Sequence, residues 1–585
     1  MPLIGTAGHV DHGKSTLIQR LTGRDPDRWA EEKRRGLTID LGFSWASLPG
    51  GEEVSFVDVP GHERYLKNML AGIEAIDVAL FVVAADEGWM PQSEEHLAVL
   101  DLLDVGAGVV ALTKTDTVES DLVELATLEI QEMLAGTTLQ DAQIIPVSGT
   151  TGDGIEALVS ALERHVEDVG SSSDSGRPRL WVDRSFSASG AGTVVTGTLL
   201  EGSLEVGDAI TTYPDGRAGR IRGIQSHEQS HEMVTPGRRV ALNLAGIAHD
   251  EVERGDMIGR PGDWESTARF SASVQLARYV DELEARGAYQ IHIGTTVDQA
   301  ELVGVDEGLA VMKLSSAVPA AVGDRFILRD TGRKLVVAGG RILDPSPGPT
   351  RKALYEARSI DPTSGADAIA TRLLEVRGVD KAIRLERHTL GGRAAGVESG
   401  DWVLARSELE RLTGEALRHV EHDHDQHPLR DGLSIATLAG LLGVAQEVAE
   451  TIVELSDALD RTGPDVFVQG RSIEIPPEKQ AEWERARREL ARGLAIPTVD
   501  ELDLDPELLH LLVRNEELTR VSEELIYLPE QIDRLIEIAR SMSDAFTVAD
   551  FRDAAGLSRK YAVPILEWMD REAITVRRGD TRRTR

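Results

Sequence analysis

Residues 8–16 read GHVDHGKST. The stretch matches G-x-x-x-x-G-K-[ST]. Its context makes the match informative: the apolar run LIGTA (3–7) precedes it and the helix-like KSTLIQRL (14–21) follows. Strand, glycine turn and helix N-terminus together form a phosphate cradle. Glycine lets backbone amides turn inward, and the helix start adds positive potential. On this reading Gly8, His9, Val10, Asp11, His12, Gly13, Lys14, Ser15 and Thr16 wrap a nucleotide. Lys14 bridges the β- and γ-phosphates and Ser15 ligates Mg²⁺.

Four further elements follow in order. RGLTID (35–40) places Thr38 on a loop where it can ligate Mg²⁺ when a γ-phosphate is present. DVPGHE (58–63) follows the apolar run EVSFV; Asp58 reaches Mg²⁺ through water and the Gly61 amide senses the γ-phosphate. TKTD (113–116) follows GVVAL, with Thr113 and Lys114 bordering the base and Asp116 accepting from guanine N1 and N2, a donor pair adenine lacks. In VSG (147–149), Ser148 helps hold the base loop. The expected ligands are GTP and GDP with Mg²⁺, and the expected activity is GTP hydrolysis.

The loop sits in a segment, 1–172, that alternates apolar runs with amphipathic stretches: LIGTAG, EVSFVDVP, VALFVVAA, GVVALTK and AQIIPVS are the runs. That alternation predicts an α/β P-loop domain with a mostly parallel sheet. A polar linker, GSSSDSGRP (170–178), ends it. Short alternating strands between glycine turns predict a β-barrel over 173–263 (TVVTGTLL, DAITTYP, RVALNLAG). A second is expected over 264–347 (RFSASVQLA, AYQIHIGTT, LAVMKLS, DRFILRD). His292, in the second barrel, reads as a strand-edge histidine, and DPSPGPT (344–350) as a Pro/Gly hinge.

Beyond 350 the chain turns helical with short strand couplets: ALDRTGPDVFVQ, ELTRVSEELIYLP and AITVRRGDTRRT. Leu459, Leu518 and Ile574 occupy matching places in them. Three helices and a wing per unit describe tandem winged-helix (α+β) domains, expected at 348–425, 426–478, 479–538 and 539–585. In the last unit Thr547 and Ser558 read as helix caps, and Pro564 as a bend. Arg559, Lys560 and Tyr561 then fall in the first turn of the last helix, and Arg577, Arg578, Arg582 and Arg583 on the wing, as RNA contacts. The cluster RHVEHDHDQH (418–427) has irregular histidine spacing and reads as an exposed helix end and linker, not a metal site.

Composition bounds these readings. The chain holds 99 Asp+Glu against 63 Lys+Arg, a formal charge of −36, so affinity for polyanions must come from a local patch such as VRRGDTRRTR (576–585). There is no cysteine, hence no disulfide or thiolate chemistry. With no basic region followed by a long apolar run at the start, and no spanning run, a cytoplasmic protein without membrane attachment is expected, as a monomer.

GHVDHGKST, RGLTID and DVPGHERYLKNM resemble the translational GTPases of the elongation factor Tu type. The resemblance implies a G domain followed by two β-barrels. It also implies that His62 positions the attacking water, with Val10 and Leu37 as an apolar gate, and that the ribosome stimulates hydrolysis. The family at large has Asn where Thr113 stands; that Asn ties the base loop to the P-loop, so the departure bears on nucleotide affinity.

RGLTIDLGFSW, TKTD, DRSFSASGAGTVVTGTLLEG (183–202), GRRVALNLAG (237–246) and GGRILDP (339–345) resemble the selenocysteine-specific elongation factors more than factor Tu. HPLRDGLSIATLAGLLG (427–443) and FTVADFRDAAGLSRKYAVPILEWMDR (546–571) resemble the winged helices of their bacterial form. This implies that Asp183, Arg184 and Arg239 form an aminoacyl pocket selective for a selenolate over a neutral serine. It implies selenocysteinyl-tRNA, the ribosome and the mRNA selenocysteine-insertion hairpin beside an in-frame UGA as partners. Two other readings stay open on sequence: a general factor of the Tu type with an unrelated appendage, and a DNA-binding regulator with a GTPase switch.

Overall fold

The computed structural model describes residues 1–24, 41–60, 76–169, 175–188, 190, 192–284, 287–349, 351–542 and 545–585. Leu37, Thr38, Gly61 and His62 lie outside the described residues. The chain divides into two compact units, Met1–Arg406 and Ser407–Arg585.

The first unit opens with a six-stranded sheet. Its strands are β1 (Leu3–Ala7), β2 (Gly42–Ser47), β3 (Glu53–Asp58), β4 (Val78–Ala84), β5 (Gly108–Thr113) and β6 (Gln143–Pro146), in the order β2-β3-β1-β4-β5-β6. All five apolar runs of the sequence are strands. β4 is buried along its whole length, which is why VALFVVA is continuously apolar rather than alternating. The strand not anticipated is β2, GFSWAS, which pairs antiparallel to β3 at the sheet edge and mixes polar with apolar residues. Helices α2 (Pro91–Leu102) and α3 (Ser120–Leu134) connect the parallel strands β4, β5 and β6, while α1 (Lys14–Thr22) follows β1 and α4 (Ile155–Val169) follows β6.

Two closed barrels follow. In the first, strands 179–188, 192–201, 238–245, 218–226, 209–213 and 257–259 form a ring, closed because 209–213 pairs with both 218–226 and 257–259. In the second, strands 266–276, 309–319, 296–306, 289–293, 325–330 and 335–344 close on themselves. His292 is not at an edge: its strand pairs on both sides, and the side chain is 5 % exposed. Helix α2 is buried on most of its surface because it lies between the sheet and the second barrel; Leu97, Leu100 and Leu102 share a core with Ala277, Ile327 and Val336.

DPSPGPT is not a hinge. Leu309, Val311 and Leu343 of the second barrel share a core with Leu354, Leu373 and Leu385 beyond it. Across the same junction the buried Arg377 guanidinium bonds Asp344 and Asp380, each at 2.5 Å, with His388 Nδ1 at 2.9 Å. Apolar contact plus a satisfied ion network fixes helices 366–377 and 382–388 and the small sheet 379–381/402–404/397–399 to the barrel.

The second unit contains three helical modules with small sheets: 433–434/465–468/459–462, 519–520/526–527 and 546–547/581–584/575–578. Leu459, Leu518 and Ile574 stand at or just before the first strand of each wing. The last two modules share one core, running from Trp483 through Tyr527 to Phe551 and Met569, so they form a single block. RHVEHDHDQH is not a linker up to Gln426; it completes the helix Arg406–Gln426, and no group of metal-ligating residues occurs among the described residues. No single helix among the described residues is long and apolar enough to cross a membrane.

Candidate functional site

The loop GHVDHGKST sits between β1 and α1. Gly8 has φ 127°, and a Cβ there would meet the Val82 carbonyl oxygen at 2.1 Å, so only glycine fits. Gly13 (φ 91°) and Asp11 (φ 62°) are also left-handed and turn the loop over the start of α1. Lys14 Nζ donates to the carbonyls of Gly8 (3.0 Å) and His9 (2.6 Å), spanning the loop from inside. Burial pushes its pKa down to about 8, against the pull of Asp58 and Asp11. Ser15 Oγ donates to Asp58 Oδ2 and Thr6 Oγ1 to Asp58 Oδ1, both at 2.7 Å. Asp58 is fully buried and oriented by two hydroxyls, one of which belongs to a predicted Mg²⁺ ligand. The donor set fits a hard divalent cation: a carboxylate and a serine hydroxyl, already adjacent.

Two supports were not anticipated. His96 Nδ1 accepts from the Gly8 amide at 3.0 Å, and Gln92 Oε1 accepts from the Val10 amide at 3.2 Å. Both lie on α2, more than 80 residues along the chain, so no local pattern marks them. Burial, Lys14 and His9 hold the His96 pKa well below its usual range, keeping Nδ1 an acceptor. His12 is likewise neutral, pushed down to about 4 by burial and His9.

At the base loop, Thr113 Oγ1 donates to the His12 carbonyl at 2.6 Å. The tie between base loop and P-loop is therefore present, made by a hydroxyl. Lys114 is turned to Asp86 (3.2 Å) and Glu87 (2.9 Å). Asp116 stands on the short turn after β5. Ser148 Oγ is buried and accepts from the Thr151 amide at 3.0 Å, closing the neighbouring loop.

In the first barrel, Arg239 grips Asp183 with two bonds of 3.0 Å, and Thr196 Oγ1 donates to the same carboxylate. The Arg239 guanidinium lies 3.9 Å over the Phe43 ring of β2. Arg184 Nη2 donates to the Leu41 carbonyl at 3.4 Å. Arg239, Thr196 and Phe43 line a cleft of about 370 Å³ together with Trp45, Gln225 and His227; Asp183 and Arg184 are not among its lining residues. Trp45 stacks on His227 at 4.7 Å, with the Arg24 guanidinium 3.9 Å over the indole.

In the last module Thr547 caps its helix through the Asp550 amide, while Ser558 occupies the cap position without a side-chain bond. The helix Arg559–Arg571 runs on through Pro564. Arg559 and Lys560 are exposed and Tyr561 is half-buried, with Lys560 Nζ 5.7 Å from the Tyr561 ring. On the wing Arg577, Arg578 and Arg583 are exposed. Arg582 is not available as an RNA contact: it is 4 % exposed and its Nε donates to Asp570 at 2.8 Å.

With the geometry in place, known proteins can be set beside it. The sequence profile of the elongation factor Tu GTP binding domain matches residues 1–168, and that of elongation factor Tu domain 2 matches 192–259. The selenocysteine-specific elongation factor beta-barrel domain matches 268–349, and the elongation factor SelB winged helix matches 537–584. A selenocysteine-specific elongation factor from Desulfomicrobium baculatum is 34 % identical over the full length of both chains. The crystal structure of a bacterial selenocysteine-specific elongation factor superposes with TM-score 0.72 at 27 % identity, covering all of both chains. SelB from Methanococcus maripaludis, solved with the GTP analogue GppNHp, superposes with TM-score 0.53 at 25 % identity over 59 % of this chain and 79 % of its own. P-loop, barrels and winged helices thus recur in one order along whole chains, and the chain belongs to the selenocysteine-specific elongation factors, a group of translational GTPases.

Proposed function

We propose that this GTPase delivers selenocysteinyl-tRNA to the ribosome at in-frame UGA codons while its last winged helix holds the mRNA selenocysteine-insertion hairpin. The chain acts as a monomer in the cytoplasm. The observation that carries the reading is the joining, in one chain, of a GTP-binding core with Arg184, Asp183 and Arg239 on its first barrel to a basic wing in the last module.

In the core, the amides of residues 9–15 take the phosphates. Lys14 leaves the Gly8 and His9 carbonyls for the β- and γ-phosphates, and Ser15 and Asp58 hold Mg²⁺ with Thr38. Mg²⁺, when bound, offsets phosphate charge during γ-phosphoryl transfer. His62 positions the attacking water, gated by Val10 and Leu37, and Gly61 reads the γ-phosphate. Asp116 selects guanine. Thr16, Lys114 and Ser148 shape the pocket rather than react.

The cleft beside Arg239 takes the aminoacyl end of the tRNA. Selenocysteine is largely a selenolate at neutral pH, whereas serine is neutral. Arg239 lines the cleft and neutralises Asp183, and Arg184, next to Asp183 on the same strand, adds positive charge that favours an anion. At the other end, Arg559, Lys560, Arg577, Arg578 and Arg583 grip the hairpin, with Tyr561 beside an exposed loop base. Between 545 and 585 there are nine Lys+Arg against six Asp+Glu, the reverse of the whole chain's balance.

The test is equilibrium binding of selenocysteinyl-, seryl- and other aminoacyl-tRNAs by the full chain with GTP. Preference for the selenocysteinyl form is expected. Equal binding of all three would favour a general factor.

A further inference from the structure

Thr113 stands where the tie between base loop and P-loop is made, and the chemistry of its side chain limits what else it can do. It is buried at the end of β5. Its hydroxyl lies 2.6 Å from the His12 carbonyl and 3.3 Å from the Val83 carbonyl. Both neighbours are acceptors, and a hydroxyl has one proton; the shorter contact takes it. An asparagine amide at this place would carry two N–H donors, one for the P-loop and one to spare for the imidazole edge of a purine.

The neighbouring residues offer no replacement. Lys114 Nζ is turned away to Asp86 and Glu87. Thr115 Oγ1 donates to the Val147 carbonyl at 3.0 Å. Asp116 is an acceptor when ionised, suited to the N1 and N2 donors of guanine but not to N7.

We propose that Thr113 is a positioning residue that spends its only proton on the P-loop, and that this protein consequently selects guanine without reading N7. The inference rests on the GTP-binding reading of the site. It adds a statement about the ligand: a guanine nucleotide whose N7 is replaced by carbon is as good a ligand as the natural one.

The experiment compares GDP with 7-deaza-GDP in equilibrium competition on the full chain, and measures GDP release by chase. In the wild type the two nucleotides are expected to bind within about twofold of each other. Thr113→Asn, which adds a second donor, should favour GDP over 7-deaza-GDP by several-fold. Thr113→Val strands the His12 carbonyl and should speed GDP release about tenfold, and Thr113→Ser should restore the wild-type rate. Inosine diphosphate, which lacks the N2 donor, should bind weakly to every variant. A wild-type loss of tenfold or more with 7-deaza-GDP would overturn the unread N7. Unchanged release from Thr113→Val would overturn the tie. Measurable GDP binding by the wild type reports on the underlying reading separately, and its absence would overturn both.

Discussion

Arg239 and Asp183 show how a single pair can set the sign of a pocket. Removing Arg239 exposes a buried carboxylate with no cation beside it, and that carboxylate repels a selenolate. Arg239→Ala should therefore erode discrimination between selenocysteinyl- and seryl-tRNA more than Arg184→Ala does. Asp183→Asn in the Arg239→Ala background should recover part of it. Filter binding of the two tRNAs checks this; equal affinity ratios in all variants would contradict the assignment. Lys14 makes a second residue-scale prediction. With its pKa lowered to about 8 by burial, about half the amines are neutral at pH 8, and a bound triphosphate recharges them. GTP binding should take up close to half a proton at pH 8 and weaken as pH rises above it. Calorimetry in buffers of different ionisation enthalpy reads this directly, and Lys14→Met should abolish the uptake. The phosphate loop was legible in the sequence because its residues are consecutive. His96 and Gln92 were not, since they reach the loop only through the packing of α2 against the sheet.

At the scale of elements, the last wing separates RNA contact from structural support. Consecutive residues on a strand point to opposite faces, and here Arg582 turns in to Asp570 while Arg583 is exposed. That alternation was the available signal, and the count of arginines obscured it. Arg582→Ala should loosen the wing by leaving Asp570 without its cation, bonded only to Thr575 Oγ1, seen as a lower denaturation midpoint. Arg578→Ala with Arg583→Ala should leave that midpoint unchanged and reduce the salt dependence of hairpin binding by roughly one to two phosphate contacts. The junction after residue 344 was misread for a related reason. Proline and glycine mark a turn, but what immobilises it is a core assembled from residues 309 to 405 and the ion network of Arg377 with Asp344 and Asp380. Arg377→Met should cost about 3–5 kcal/mol by removing the cation from buried Asp344 and leaving Asp380 its longer pairing with Arg384, and open residues 344–349 to limited proteolysis that the wild type resists.

At the scale of the whole molecule, buried histidines give the first unit an acid limit. His292 is pushed down to about 3 by burial, Arg329 and Arg254, and His388 is driven still further below its usual range by burial and Arg377. The unfolded chain protonates each below about pH 6.5, while the folded chain does not, so stability falls as pH drops. The contribution of His292 is about 1.4 kcal/mol per pH unit between pH 6.5 and 3. Denaturant unfolding of His292→Leu should show a correspondingly shallower loss between pH 6.5 and 4.5. The order of domains was open to sequence reading because each has its own periodicity. The fusion of the last two modules into one core was not, because it joins residues far apart in the chain, as where Arg571 Nη2 donates to the Val521 carbonyl. The acidic body and basic wing divide the work: the −36 charge discourages general RNA binding, leaving the wing to find one message. The central claim is that one end holds the tRNA while the other holds the message. It is tested most directly by a reconstituted ribosome system reading an in-frame UGA, with the cognate hairpin present or deleted. Selenocysteine incorporation should require the hairpin in the same message and fall with Arg578→Ala and Arg583→Ala together. Equal incorporation with and without the hairpin would contradict the account.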